Sequence, residues 1–141
     1  MFIVEINAPV AFNAYSTITW QYGDYELVIF DSTLLNYGGH YQTHNSVFIC
    51  PVHGMYAFAV NVANDGATKA IAGRIMIENL LLTGLFITRK DENFLQAGSA
   101  FDIVECFQRQ RVWVRSNGAA PHSMRGDYAW SSFSAYLIHR Y

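Results

Sequence analysis

The hydroxyl, imidazole and carboxyl side chains near the C-terminus are the first candidates for chemistry in this chain. His122, Ser123 and Asp127 are the residue types of a hydrolase triad. Such triads join distant parts of a chain around a strained nucleophile turn, and the sequence contains no Gly-x-Ser-x-Gly motif. We therefore interpret this segment as a surface loop, and we expect no catalytic residue and no enzymatic activity.

Metal ligands are sparse in the sequence. The histidines form no His-x-His pair, and Cys50 and Cys106 lack metal-ligand spacing. We interpret the cysteines as two buried, reduced thiols, with a single bridge between them as the alternative. Asp91 and Glu92 are the best local source of oxygen ligands for calcium, and the alternative for them is a solvated acidic turn. We expect no other cofactor.

Aromatic residues in polar loops suggest a site for sugars. The faces of such rings stack on the C–H patches of a sugar, while neighbouring polar groups satisfy its hydroxyls. One cluster surrounds Gly23 and a second surrounds Gly38 and Gly39. The candidate ligand-binding residues in these loops and in the loop near Arg125 are Trp20, Tyr22, Asp24, Tyr37, His40, Tyr41, Arg125 and Asp127. The alternative is that the rings cover the ends of the fold.

Arg125, Gly126 and Asp127 spell the integrin-recognition tripeptide. We expect them in an exposed loop, where the alternative to receptor recognition is a plain turn. In that alternative Gly126 supplies the freedom to adopt a positive φ.

Length and composition limit the partners that this chain can have. With 141 residues we expect one domain over residues 1–141. A net charge of -2 with only two lysines argues against nucleic-acid binding, and no apolar run is long enough to span a bilayer. The residues Met1 to Val4 are too short for the core of a signal peptide. A content of 52% hydrophobic and 14% charged residues favours an oligomer whose interfaces cover apolar surface.

Short apolar runs separated by turn residues predict an all-β fold. The candidate strands are Ala11–Tyr15, Tyr25–Phe30, Ser46–Cys50, Gly54–Val62, Ala70–Glu78, Leu80–Thr88, Ala100–Phe107, Arg111–Arg115 and Phe133–His139. In the fourth of these, Tyr56 and Phe58 alternate with Ala57 and Ala59. The strand therefore has a large-residue face and a small-residue face, and the small face could accept another sheet or another subunit.

The spacing of several residues in these strands resembles a family signature. Its positions are Phe30, Asn36, Tyr41, Phe48, Gly54, Tyr56 and Phe58. Supporting segments are Val10-Ala11-Phe12-Asn13-Ala14, Cys50-Pro51-Val52-His53-Gly54, Val112-Trp113-Val114 and Phe133-Ser134-Ala135-Tyr136-Leu137-Ile138. Together they resemble the C1q globular domain over nearly the whole chain. The chain departs from the family pattern at Val60, Gln110-Arg111 and Ala135.

The resemblance implies a jelly-roll β-sandwich of about ten strands that assembles as a compact homotrimer. It places Phe12, Tyr15, Tyr56, Phe58, Phe133 and Tyr136 in strands of the trimer-facing sheet, and the alternative for each is an ordinary core position. It also implies a secreted, lectin-like recognition protein of innate immunity that binds microbial or glycan surface patterns. The alternative is a signalling ligand of the C1q and tumour necrosis factor type, which binds a protein receptor. The collagen-like stalk of many relatives is absent from this sequence.

Overall fold

A computed structural model describes residues 8–64, 70–88, 96–118, 121–126 and 129–141. Asp91, Glu92 and Asp127 lie outside these residues. In the described part the strands are β1 (Ala11–Tyr15), β2 (Trp20–Tyr22), β3 (Ser32–Tyr37), β4 (Tyr41–Gln42), β5 (Val47–Ile49), β6 (Gly54–Ala63), β7 (Ala70–Ile77), β8 (Leu80–Thr88), β9 (Ala97–Cys106), β10 (Arg111–Ser116), β11 (His122–Met124) and β12 (Ser132–Arg140).

The strands form a jelly-roll sandwich, which confirms the predicted all-β fold. The first sheet has the order β3-β1-β12-β6-β9, and the second sheet has the order β4-β5-β10-β7-β8. β2 and β11 form a separate two-stranded sheet. All of the strand pairs are antiparallel. The predicted strand Tyr25–Phe30 is wrong, because this segment makes only an isolated bridge from Leu27 to Arg115.

Aromatic side chains from both sheets fill the space between them. Phe12 of the first sheet stacks on Tyr41 of the second, with ring centroids 4.7 Å apart. Phe12 also meets Phe133 edge-on at 5.1 Å, and Phe48 meets Phe58 edge-on at 6.0 Å. Such pairs add about 0.5–1.5 kcal/mol each beyond the area that they bury. The aromatic residues of the sequence signature therefore hold the two sheets together.

The spacing of the signature residues follows from bonds that they make with one another. The Asn36 amide donates to the Tyr41 carbonyl at 2.9 Å and accepts from the Tyr41 N–H at 3.1 Å. The Tyr41 hydroxyl then donates to the Phe30 carbonyl at 2.7 Å. Gly54 is required by close packing, because a Cβ there would lie 2.5 Å from the His139 carbonyl oxygen.

The structure corrects four of the six trimer-interface candidates. Phe12, Tyr56, Phe58 and Phe133 point into the sandwich and are at most 2% exposed, so they are core residues and offer no surface to a partner. The other two candidates lie on the outer side of the first sheet: Tyr15 is half-buried, and Tyr136 is 54% exposed.

Candidate functional site

The two aromatic loop clusters lie at opposite ends of the first sheet. β3 runs from Ser32, which pairs with Tyr15, to Tyr37, which pairs with Ala11. The Trp20 cluster follows Tyr15 in the chain, and the Thr17 N–H donates to the Asp31 carboxylate at 2.8 Å beside the start of β3. The two clusters therefore cannot form one site. We call the end formed by residues 16–27, 116–118, 121–126 and 129–131 the loop end.

At the loop end, Trp20 and Tyr25 present ring surface to solvent. Trp20 is 37% exposed, Tyr25 is 61% exposed and Asp24 lies exposed beside it. The Arg115 guanidinium lies 4.9 Å from the centre of the Tyr25 ring. Tyr25 belongs to the aromatic cluster around Gly23 that the sequence suggested for sugar binding. This end thus exposes an indole, a phenol and a carboxylate.

Tyr22 is a correction at the same end, because its ring is buried in the core. Its hydroxyl accepts a hydrogen bond from the Ile29 N–H at 2.9 Å. Burial raises the pKa of Tyr22 to about 12. Tyr22 therefore supports the loop from inside and presents no ring face to a ligand.

The second cluster surrounds the turn between β3 and β4, where Gly38 and Gly39 have φ values of 80° and 71°. Tyr37 is 55% exposed, and the half-buried His40 ring packs over Gly38. Burial lowers the pKa of the His40 imidazole. Tyr41 is the second correction, because its buried ring belongs to the aromatic core and its hydroxyl is bonded to Phe30.

The first two residues of the tripeptide, Arg125 and Gly126, are tied to the body of the protein. The Arg125 N–H donates to the Ala63 carbonyl at 2.8 Å, and the Ser131 hydroxyl donates to the Arg125 carbonyl at 2.6 Å. Gly126 is buried, and its φ is outside the left-handed region. A Cβ at this position would overlap the Ile18 carbonyl group, so close packing requires this glycine, and the predicted positive φ is wrong.

His122 and Ser123 do not lie in the surface loop that the sequence suggests. They form the short strand β11, which pairs with β2, and both side chains are buried. The His122 Nδ1 atom accepts a hydrogen bond from the Ala72 N–H at 3.2 Å. The imidazole therefore has a structural contact with β7.

Cys50 and Cys106 are free and fully buried, as predicted. The Cys50 thiol donates to the Val52 carbonyl at 3.2 Å. Interaction between the two thiols lowers the pKa of Cys50 and raises the pKa of Cys106. In the part of the chain that the structure describes, no group of three or more histidine, cysteine, aspartate or glutamate side chains converges on a common point. No helix with the length and apolarity of a membrane span occurs there either.

The outer side of the first sheet carries an apolar surface that we call the sheet face. Ala57 pairs with Tyr136 on one side and with Ile103 on the other, and Ala59 pairs with Phe101. Phe101 is 56% exposed, and a shallow groove of about 250 Å³ is lined by Phe101, Tyr136 and the two alanines. The sheet face consists of Leu35, Ala57, Ala59, Phe101, Ile103 and Tyr136. The sequence pointed to the small residues of β6, but it gave no signal that β9 places large apolar residues beside them.

Comparison with known proteins decides the family. A family model described as the C1q domain matches residues 11–138. The chain belongs to the C1q domain family. It is 27% identical over 110 residues to the collagen alpha-1(X) chain of Mus musculus, a match that covers 77% of this chain and 16% of that protein. It is 28% identical over 116 residues to a subunit of the complement C1q subcomponent of Mus musculus, covering 79% of this chain and 46% of that protein. The chain thus spans less than half the length of these relatives.

Solved structures show the same fold at low sequence identity. The globular domain of zebrafish complement 1qA protein matches with a TM-score of 0.78 and 18% identity, covering 94% of this C1q-domain chain and 99% of that one. Eiger TNF from S. frugiperda matches with a TM-score of 0.76 and 8% identity over 96% of both chains. Murine APRIL matches with a TM-score of 0.72 and 10% identity, covering 92% and 99%.

Proposed function

We propose that this C1q-domain chain is a secreted recognition protein that self-associates as a homotrimer and binds glycans on microbial surfaces. The sheet face is the observation that supports this proposal most directly. It exposes Phe101, Ile103 and Tyr136 around two alanines, and large contiguous apolar patches mark surfaces of association.

A second copy of the chain is the partner that best fits the sheet face. The small Ala57 and Ala59 side chains let another backbone approach closely, and the large rings beside them supply apolar area. Asn13 and Ser134 add neutral polar groups at the edge of the groove, and the groove lining includes no charged side chain. The resemblance to the C1q and tumour necrosis factor folds favours three copies over two.

The loop end is our proposed glycan site. Trp20 and Tyr25 offer ring faces for sugar C–H patches, and the exposed Asp24, next to Tyr25 in the chain, supplies an acceptor for sugar hydroxyls. Tyr37 and His40 at the opposite end of the sheet form a second, separate candidate. A single exposed site of this size binds weakly. Three linked copies would increase the apparent affinity by roughly 10²–10⁴-fold, because each later binding event occurs at the high effective concentration set by the first.

A signalling ligand that binds a protein receptor is the second candidate function. The edge strand β8 favours it, because Leu80 and Leu81 are exposed at its start, away from the sheet face. Exposed aliphatic side chains on an edge strand are suited to a protein partner rather than to a sugar.

A glycan array tests the first candidate against the second. We expect the wild type to bind a subset of glycans saturably and Trp20→Ala to lose that binding. Tyr37→Ala is the matched variant at the opposite end of the first sheet. Binding that survives both substitutions would contradict a site built on loop aromatics. An array without any signal would favour the receptor function. Repeating the array with a chelator tests calcium at Asp91 and Glu92, because calcium-supported binding should then disappear.

A further inference from the structure

Two arginines face each other directly across neighbouring strands of the second sheet. Arg115 of β10 and Arg74 of β7 are register partners in the antiparallel pair. Their flanking residues Val114 and Ile75 are fully buried in the core, so both arginines point to the outer side of the sheet. Directly opposed side chains have Cβ atoms about 4.5–5.5 Å apart, and like charges in this arrangement repel each other. The pair therefore concentrates positive charge on the outer side of the second sheet, where an anion would be attracted.

No carboxylate of the described residues compensates this positive charge. Arg111, at the start of the same strand, forms a two-pronged ion pair with Glu78 at 2.9 Å. Neither Arg74 nor Arg115 takes part in an ion pair in the described regions of the chain. Arg115 lies 4.9 Å from the centre of the Tyr25 ring, a contact that supplies no counter-charge. Arg111 is thus neutralised by a carboxylate within the chain, whereas Arg74 and Arg115 have no carboxylate partner among the described residues.

The hydrogen bonds of the two guanidiniums leave most of their donors unused. Arg74 donates from Nη1 to the Leu82 carbonyl at 3.1 Å. Arg115 donates from Nη2 to the Asn117 side-chain oxygen at 3.2 Å, and its Nε atom is buried without a partner. A guanidinium has five N–H donors in a planar fork that matches an oxyanion. Each arginine thus retains donors for a second group.

A surface groove of about 360 Å³ adjoins Arg74 on this side of the sheet. Gly84 lies directly across from Arg74 in β8, and a Cβ at Gly84 would come within 2.9 Å of the Arg74 Cγ atom. The glycine therefore lets the arginine stem lie flat across β8. Phe86, which is 66% exposed, and Asn117 also line the groove. The groove combines positive charge, an aromatic face and an amide.

We propose that Arg74, Arg115 and this groove bind the oxyanion of an acidic saccharide, a sulfate or a carboxylate group carried on a sugar ring. The guanidiniums hold the oxyanion, Phe86 packs against the C–H face of the ring, and Asn117 bonds to a hydroxyl. The chain carries only two lysines and a net charge of -2, so it lacks the extended basic surface that a nucleic-acid backbone requires. The inference rests on the proposed glycan recognition and adds to it a charged ligand class in a groove that borders the loop end, because Asn117 lines the groove and Arg115 lies against the Tyr25 ring.

Calorimetric titration of the full chain with three tetrasaccharides tests the inference. The ligands are a sulfated heparin fragment, the same fragment without sulfates but with its carboxylates, and neutral maltotetraose. We expect the acidic sugars to bind more tightly than the neutral one. If the sulfated fragment binds more tightly than the desulfated fragment, sulfate is the anion that the site holds. If these two fragments bind equally well, the anion is carboxylate. Equal binding of all three, or no binding of the acidic sugars, would overturn the proposal.

Substitutions locate the site and exclude a general effect of charge. Arg74→Gln and Arg115→Gln should each weaken binding of the acidic sugar about tenfold, because each removes a charge-assisted fork. Arg111→Gln removes the same charge from the same sheet and should change affinity by less than about twofold, because Arg111 is already paired. A loss in Arg111→Gln as large as in the other two would overturn the site.

If the glutamine variant fails to fold, Arg74→Lys provides a second test, because it keeps the charge and the long side chain over Gly84. It should bind more weakly than the wild type because it lacks the fork, and undiminished binding would contradict a built site. If array glycans still bind the wild type while the acidic tetrasaccharides do not, only this inference fails. If the wild type binds no saccharide at all, the proposed glycan recognition fails as well.

Discussion

At the scale of single residues, Gly126 and Gly39 are glycines for two different reasons. A Cβ at Gly126 would overlap the backbone of Ile18, whereas Gly39 has open space around it but a φ of 71°. We expect Gly126→Ala to lower the free energy of unfolding by about 3 kcal/mol or more, because backbone must move. Gly39→Ala should lower the free energy of unfolding by about 1 kcal/mol, through backbone strain alone. Urea denaturation of both variants measures the difference, and equal losses would contradict the close contact at Ile18.

Tyr22 gives a prediction for alkaline pH. Burial raises its pKa to about 12 from the ordinary value of 10.0, so the unfolded chain loses this proton at lower pH than the folded protein does. The stability that the buried, protonated Tyr22 hydroxyl contributes is fully present below about pH 10 and is lost as the pH rises towards about 12. Over that window the free energy of unfolding should fall by about 2 kcal/mol more in the wild type than in Tyr22→Phe. Identical pH profiles from urea denaturation would show that Tyr22 titrates normally.

Residue types alone could not separate the surface aromatics from the buried ones. Trp20 and Tyr22 are two positions apart in one short strand, yet Trp20 is partly exposed and Tyr22 is buried. The fold of the loop end decides this, because residues 27–29 approach β10 and close over Tyr22. The Arg74–Arg115 pair was also invisible in the sequence, since it depends on the register of two strands about forty residues apart.

At the scale of strands, β12 carries a core residue and a surface residue close together. Phe133 is fully buried against Phe12 and Phe58, and Tyr136 is exposed on the sheet face. Phe133→Ala should lower the free energy of unfolding by about 3–5 kcal/mol through the cavity that it leaves. Tyr136→Ala should leave the unfolding of the monomer nearly unchanged and weaken self-association. A Tyr136→Ala variant that unfolds as easily as Phe133→Ala would contradict this division of roles.

The sheet face can be tested with a matched residue on the second sheet. Phe101 and Phe86 have the same side chain and similar exposure, 56% and 66%, but they lie on different sheets. Phe101→Ser should weaken self-association by about tenfold or more, as loss of a large buried aromatic does at an interface core. Phe86→Ser should leave it unchanged. Size-exclusion chromatography over a dilution series compares the two, and an equal loss in both would contradict the sheet face as the contact surface.

Strands with apolar alternation could be predicted from the sequence, and the others could not. The bounds of β1 and β8 match the predicted strands, and β6 differs by one residue at its end. β2, β3, β4 and β11 were missed. β3 lacks a clean alternation because the register shifts beside it between Asn13 and Ala14, and both Leu34 and Leu35 are exposed. The other three are two or three residues long, too short to show a period.

At the scale of the whole molecule, the low content of charged residues has a structural counterpart. With 14% charged residues, the chain exposes large apolar side chains on the sheet face and also on β8. The sequence signature identified the C1q domain because its residues build the shared core. The aromatic residues of the signature are buried, so they present no surface to a ligand. We therefore place the proposed recognition surfaces outside the signature, at the loop end and on the second sheet.

Analytical ultracentrifugation at micromolar concentration tests most directly the claim that this domain is a self-associating recognition protein. Burial of the sheet face in a closed assembly of three chains predicts a species of about 48 kDa, three times the 16.0 kDa of one chain. Phe101→Ser should shift the distribution towards the single chain, and Phe86→Ser should not. A wild-type protein that sediments as a stable 16.0 kDa monomer would contradict the account, because single weak sites would then have no multivalent gain.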